Sequence, residues 1–140
     1  ALTPNMNYMH APPDEHLNLI YNAVDVGINT ADGEGWGLVP FEHAQTRKAQ
    51  LVPNHTSSAD IWKDSAELID VAAWITDKDL GVERGLVDYK HAAKLLNKLY
   101  ESEEYREEVA NKCFQVTQNP SFRWDKVAEG FIKAIEVIEE

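Results

Sequence analysis

The chain has 140 residues, of which 44% are hydrophobic and 26% charged, a balance typical of one globular domain with a buried core. Its formal net charge of −11 argues against a nucleic-acid binder, because such proteins present a basic surface. The single cysteine excludes an internal disulfide framework and a cysteine-based zinc site. The longest apolar runs are too short to span a bilayer, and no signal-peptide pattern opens the sequence.

The charges are unevenly distributed along the chain. Residues 1–46 contain no Lys or Arg but include six acidic residues. An anion bound by this segment would therefore meet no cationic side chain from it. We expect any cation at such a site to come from elsewhere.

The first half alternates helix and strand. Residues 12–15 are typical of a helix start, since proline is tolerated in the first turn and acids favour the positive end of the helix dipole. Apolar residues at helical spacing follow: Leu17, Ile20, Tyr21 and Val24. Short strands are predicted at 25–29 and 49–53, with a glycine-rich turn at 32–37 and a helix at 38–47 between them.

The second half is predicted as a polar loop at 54–60, a strand at 68–76 and a charged connection at 77–85. Three helices follow, one with an N-cap near Asp88, one beginning at Ser102 and one after the break at Asn119-Pro120. Strands that alternate with helices predict an α/β fold with a largely parallel sheet, and the C-terminal third is helical. We interpret Cys113 as a core residue and Trp62, Trp74 and Trp124 as packing residues.

A strand, a glycine-rich turn and a helix form a common geometry for holding phosphate, because the free amides of the first helical turn point at the anion. Here those amides belong to Gly37, Leu38 and Val39. The glycine spacing matches neither the dinucleotide fingerprint nor the P-loop. The glycines of 33–37 taken alone are equally compatible with a flexible turn.

Two carboxylates add information to this turn. Glu34 lies inside it, where it would repel a phosphate but could accept hydrogen bonds from sugar hydroxyls. Glu42 follows Leu38 by four residues and so shares a helix face with the phosphate-binding end. A ribose hydroxyl pair is a natural partner for Glu42.

Residues 34–44, EGWGLVPFEHA, resemble the E-x7-E motif of the family-4 retaining glycosyltransferases, usually E-G-F-G-L-x-x-x-E-A. The flanks are similar too, in the family's order: the helix and "A-x-D-V" strand before the motif, a "G-L-L-V" segment at 85–88 and an "F-S-W-E-x-V-A" helix at 122–128. Trp36 replaces the usual Phe, and His43 stands where the family more often has Ala.

The resemblance implies a role for each matching position. Glu34 is the expected catalytic residue and contacts the transferred sugar, while Glu42 binds the ribose. The diphosphate would be bound along the turn, and the base near residues 10–14. The expected substrate-binding residues are therefore Glu34, Gly35, Trp36, Gly37, Leu38, Val39, Glu42, Ala11 and Pro12.

The resemblance also implies a GT-B architecture, in which the active site lies between two Rossmann-like domains. Residues 1–140 would be the donor-binding domain, lacking its first strands, the Arg and Lys that these bring to the diphosphate, and the acceptor-binding domain. Transfer would retain anomeric configuration without a metal or other cofactor. Partners would be a nucleotide-sugar donor and a sugar, lipid or protein acceptor, with no nucleic acid and no transmembrane segment. The location would be cytoplasmic, with membrane contact only through the missing domain.

Other interpretations remain open from the sequence. A glycosyltransferase-like module without catalytic activity, used for assembly or regulation, is the main alternative. The run Asp77-Lys78-Asp79 superficially matches a metal-binding D-x-D motif, but its charged surroundings favour a solvated turn. The five histidines show no metal-ligand spacing, which favours surface or structural roles.

Overall fold

The computed structural model describes residues 12–139. The sheet that organises the fold has three parallel strands, β1 (Val26–Ile28), β2 (Ala49–Pro53) and β3 (Glu67–Ile69), in the order β1-β2-β3. Val26 is the partner of Ala49, and Leu51 is the partner of Glu67. The predicted α/β class and parallel sheet are confirmed.

Within residues 12–139, six α-helices accompany the strands: α1 (Asp14–Ala23), α2 (Leu38–Gln45), α3 (Thr56–Trp62), α4 (Tyr89–Glu101), α5 (Glu103–Thr117) and α6 (Trp124–Glu139). Helices α4 and α5 begin directly after the predicted capping residues. The Asp88 carboxylate accepts from the amides of Lys90 and His91, and the Ser102 hydroxyl accepts from the amide of Tyr105. These caps satisfy amides that the helices cannot pair internally.

The core surrounds β2, every residue of which is buried. Helices α3 and α5 both contact this strand. Leu51 and Val52 belong to the same buried cluster as Trp62, Leu99 and Cys113. The Cys113 thiol donates to the Ser65 carbonyl oxygen over 3.3 Å, and burial raises its pKa to about 12. Cys113 and Trp62 are thus core residues, as predicted.

The predicted strand at 68–76 is wrong as a single element. The chain leaves the parallel sheet after Ile69, and Val71 begins β4 (Val71–Asp77), which pairs antiparallel with β5 (Val82–Val87). Residues 82–85, predicted to lie in a charged connection, therefore belong to a strand. Lys78 and Asp79 do lie in the turn of this hairpin, as the charge pattern indicates, and Asp77 ends β4 directly before it.

Three further predictions need correction. Residues 56–60 belong to helix α3 rather than to a loop, and only a bend at Asn54–His55 separates this helix from β2. Helix α2 ends at Gln45, since Arg47 adopts a left-handed backbone conformation with φ 57°. Trp124 is 85% exposed, so within residues 12–139 it is not a packing residue, whereas Trp74, although 54% exposed, packs against the His55 ring with 5.6 Å between centroids.

The C-terminal helix α6 stands apart from the sheet. Its first residue follows a short 3-10 turn at Pro120–Phe122, and its apolar side chains at Phe131, Ile132 and Ile135 are more than half exposed. No helix within residues 12–139 combines the length and apolar character needed to cross a bilayer.

Candidate functional site

A cavity of about 770 Å³ lies beyond the carboxyl end of β1. In parallel α/β sheets this edge is the usual place for a ligand. Six of the expected substrate-binding residues line it together: Glu34, Gly35, Trp36, Gly37, Leu38 and Val39. The structure therefore brings the glycine-rich turn and the first turn of α2 around one space.

Two residues of α3 form hydrogen bonds with the backbone of the glycine-rich turn. The Glu34 amide donates to Thr56 Oγ1 over 3.3 Å, and Ser57 Oγ donates to the Glu34 carbonyl oxygen over 2.8 Å. Residues of the segment predicted as a loop thus fix the backbone at Glu34. Hydrogen bonds to both the amide and the carbonyl oxygen of Glu34 restrict how the turn can move.

The Glu34 carboxylate lies half-buried at the cavity wall. Asn29, the first residue after β1, donates from Nδ2 to Glu34 Oε2 over 3.4 Å. The Asn29 side chain is itself oriented, because its Oδ1 accepts from the Ala31 amide over 2.8 Å. One carboxylate oxygen is therefore supported from the protein side, and the group is placed to accept hydrogen bonds from a ligand.

The first turn of α2 has no side-chain cap. Its N-cap is Gly37, whose φ of 82° is the left-handed conformation that glycine adopts without steric cost. Leu38 and Val39 follow, both lining the cavity and both about two-thirds exposed. Uncapped amides at a helix N-terminus are able to bind an anion.

An aromatic cluster supports one wall of the cavity. The Trp36 ring lies 4.9 Å from the Phe122 ring and 5.3 Å from the Phe41 ring, measured between centroids. Phe41 continues the cluster to the buried Trp62 at 6.2 Å. Trp36 is thus fixed by edge and tilted ring contacts, which connect the turn to the core.

Glu42 faces a different space. It lies on a groove of about 430 Å³ that also involves Asp14, Leu17 and Tyr21, on the α1 side of α2. Tyr21 donates its hydroxyl to Glu42 Oε2 over 3.0 Å, and burial together with this carboxylate raises the pKa of Tyr21 to about 12. Pro12 lies two residues before the start of α1 at Asp14, and Ala11 lies outside the described residues.

The floor of the cavity contains two buried polar residues that the motif does not single out as a pair. His43 Nδ1 and Gln50 Nε2 are 3.2 Å apart, and both residues line the cavity beside Gly27. A Cβ at position 27 would lie 2.5 Å from His43 Nδ1, so only glycine allows this arrangement. The unusual His at position 43 is visible in the sequence, but its partner is not.

A cation that sequence reasoning missed also reaches the turn. Arg84 of β5 contacts Asp32 Oδ1 through Nη1 at 3.0 Å and Asp77 Oδ2 through Nε at 3.1 Å. Hydrogen bonds to Asp77 and Asp32 raise the pKa of Arg84. The Leu80 amide, followed by Arg84, holds the pKa of Asp77 below its usual range. Nε and Nη1 of Arg84 are therefore already engaged by carboxylates.

The residues that line the cavity, all within the described part of the chain, include no Lys and no Arg. Within residues 12–139 no group of three or more His, Cys, Asp or Glu side chains is arranged to hold a metal ion. The chain matches no model of a known protein family, and no curated protein gives a significant match.

Proposed function

We propose that the chain binds a nucleoside-diphosphate sugar and, within a longer protein, takes part in transfer of its hexosyl group with retention of configuration. The observation that carries this proposal is that Glu34 and the uncapped first turn of α2 line one cavity. A carboxylate suits sugar hydroxyls, and uncapped amides suit phosphate oxygens. A single ligand that uses both features carries sugar hydroxyls and phosphate oxygens.

The separate position of Glu42 supports a ligand with a third part. Helix α2 contributes Leu38 and Val39 to the cavity and Glu42 to the groove, so a diphosphate at Gly37–Val39 is proposed to connect a sugar in the cavity with a ribose at Glu42. Glu42 already accepts from the Tyr21 hydroxyl on one oxygen. Its second oxygen is the group proposed to accept from ribose hydroxyls.

Charge limits what this chain does alone. A helix dipole supplies about half a unit of positive charge at its N-terminus, less than a diphosphate carries. Since the described lining of the cavity has no Lys or Arg, the balancing cations are proposed to come from another part of a longer protein. The resemblance to family-4 glycosyltransferases supports a GT-B enzyme in which a second domain also binds the sugar, lipid or protein acceptor.

In such an enzyme the residues of this chain would bind and orient rather than carry a metal. Amides at Gly37, Leu38 and Val39, with the added cations, would stabilise the departing nucleoside diphosphate. Glu34, positioned by Asn29, would hold hydroxyls of the transferred sugar. No cofactor is part of the proposal, because the nucleotide sugar is itself the substrate.

A second candidate is a glycosyltransferase-like module that uses the same fold for assembly or regulation. The observation that favours it is the lack of cationic side chains among the described residues of the cavity. Such a module would have no need to stabilise a leaving diphosphate.

Replacement of Glu34 by Gln in the full-length protein distinguishes the enzyme from the non-catalytic module. The enzyme predicts that sugar transfer falls by about a hundredfold or more while the fold is retained, a loss typical of removing one group that stabilises the transition state. Glu107→Gln, on the exposed face of α5, is the matched control and should leave transfer unchanged. Unaltered biological activity in Glu34→Gln, with no transfer detectable in the wild type, would favour the module.

A further inference from the structure

The floor of the cavity contains a chain of hydrogen bonds whose direction is determined by its ends. His43 Nε2 lies 3.1 Å from the Tyr21 carbonyl oxygen, which can only accept. His43 must therefore carry a proton on Nε2. Burial lowers the pKa of His43, so the ring is neutral near pH 7 and its Nδ1 is an acceptor.

The orientation of the Gln50 carboxamide follows from this tautomer. Gln50 Nε2 donates to the Lys48 carbonyl oxygen over 3.0 Å and to His43 Nδ1 over 3.2 Å. Both amide hydrogens are then used. Rotating the carboxamide would place an oxygen against two acceptors, so Oε1 is held on the opposite side.

Oε1 is held on the side of Gly27, a residue that itself lines the cavity. A Cβ at Gly27 would overlap Gln50 Oε1, so the oxygen lies against the one residue of β1 that has no side chain. Gln50 is 1% exposed, yet it lines the cavity. Among residues 12–139, no donor forms a hydrogen bond with Oε1. The floor thus presents one oriented acceptor without a protein partner.

Resting on the proposed function, we propose that Gln50 is a specificity-determining residue, whose Oε1 accepts a hydrogen bond from a hydroxyl of the sugar part of the donor. A carboxamide oxygen would repel a phosphate, so it selects a group that donates. His43 is a positioning residue, because it acts only through the orientation of Gln50. Discrimination by a buried acceptor is strong, since a ligand without the hydroxyl leaves that acceptor unpaired.

Binding of sugar nucleotides and of the matching nucleotides tests this assignment in the full-length protein. The probes are UDP-glucose with UDP, GDP-mannose with GDP, and ADP-glucose with ADP. Gln50→Met keeps the length of the side chain but removes the acceptor. We expect it to weaken binding of the sugar nucleotide about five- to tenfold, the loss of one hydrogen bond, and to leave nucleotide binding within about twofold.

The outcomes separate this inference from the proposed function. If no sugar nucleotide binds the wild type, the proposed function fails. If one binds and Gln50→Met weakens sugar nucleotide and nucleotide equally, or neither, the role of Gln50 is overturned while the proposed function stands. Gln115→Met, the same change on the exposed face of α5, is the control and should alter neither affinity.

Two further measurements sharpen the test, and the second needs no variant. Mono-deoxy analogues of the bound sugar should include one whose loss of affinity disappears in Gln50→Met, because the two changes remove the same hydrogen bond. In the wild type, the side-chain amide signals of Gln50 in a nitrogen-resolved spectrum should shift on adding the sugar nucleotide but not the nucleotide. Equal shifts with both ligands, or none, would overturn the assignment.

Discussion

Arg84 of β5 donates to Asp32 of the glycine-rich turn over 3.0 Å, so that the hairpin and the candidate site are joined by a single side chain. The backbone adds a second link, since the Gly85 amide donates to the Asp32 carbonyl oxygen over 2.9 Å. The turn is therefore held by β5 at Asp32 and by α3 at Glu34. A change in the hairpin should therefore alter ligand binding at the candidate site.

Arg84→Gln tests this connection. We expect a lower melting temperature and weaker binding of the sugar nucleotide, because Glu34 lies only two residues after the Asp32 anchor. Lys112→Gln removes an exposed ion pair with Glu108 on α5 and serves as the control, with little effect on either quantity. Thermal unfolding and titration of both variants would check this, and an Arg84→Gln protein indistinguishable from the control would contradict it.

The packing of the hairpin against His55 predicts that two glycine substitutions have opposite effects on the free energy of unfolding. A Cβ at Gly85 would stand 2.8 Å from His55 Cδ2, whereas a Cβ at Gly130 in α6 would meet open space. Gly85→Ala should destabilise the fold by about 1–3 kcal/mol through overpacking. Gly130→Ala should stabilise it by roughly 0.5–1 kcal/mol through helix propensity. Denaturant unfolding measures both, and equal effects would contradict the packing described.

His43 predicts how stability depends on pH. Burial lowers the pKa of its folded imidazole from the ordinary 6.5, opposed by the Tyr21 carbonyl and reinforced by Lys48. As the pH falls through 6.5, the unfolded chain takes up a proton at this site before the folded chain does. The contribution to stability is therefore complete above this value and is lost below it.

The measurement is the free energy of unfolding at several pH values between about 5 and 8 for the wild type and His43→Gln. The difference between the two proteins should be constant at the alkaline end and should shrink towards acid pH. A difference that grows on acidification would show that the folded ring gains a proton more readily than the unfolded one, and would contradict a pKa lowered by burial.

The burial of Cys113 predicts that the single thiol of the chain reacts slowly in the folded protein. Burial raises its pKa to about 12, and its thiol contacts the Ser65 carbonyl oxygen. Because the thiolate is the reactive form, a disulfide reagent at about pH 8 should label the folded protein only at the rate of its unfolding. Labelling with and without denaturant checks this. Rapid labelling of the folded chain would mean that Cys113 is not in the core.

The elements that can be predicted from the sequence are those that depend on neighbours along the chain. Local patterns identify Asp88 and Ser102 as helix caps, and the spacing of glycines identifies the turn of Glu34. The break after Ile69 is not visible, because the apolar run continues across Asp70 and both sides have the composition of a strand. Helix α3 escapes prediction because residues 56–58, Thr-Ser-Ser, have the composition of a loop.

The missing parts of the site depend on contacts between distant residues. Gln50 meets His43 from the next element, and Arg84 meets Asp32 from 52 residues away. No local pattern indicates either pair. In α6 the local pattern is clear, since it predicts an apolar helix face. It does not show whether another part of the protein covers that face. Trp124 is therefore predicted to pack, but is 85% exposed.

Calorimetric titration of the full-length protein with UDP, GDP and ADP sugars tests whether this chain forms a donor site. We predict that at least one binds and that Glu42→Ala weakens it by about tenfold or more, because a hydrogen-bonding carboxylate is lost from the ribose. Glu107→Ala, on the exposed face of α5, should bind as the wild type does. If no sugar nucleotide binds the protein, or if Glu42→Ala binds as tightly as Glu107→Ala, the proposed donor site is contradicted.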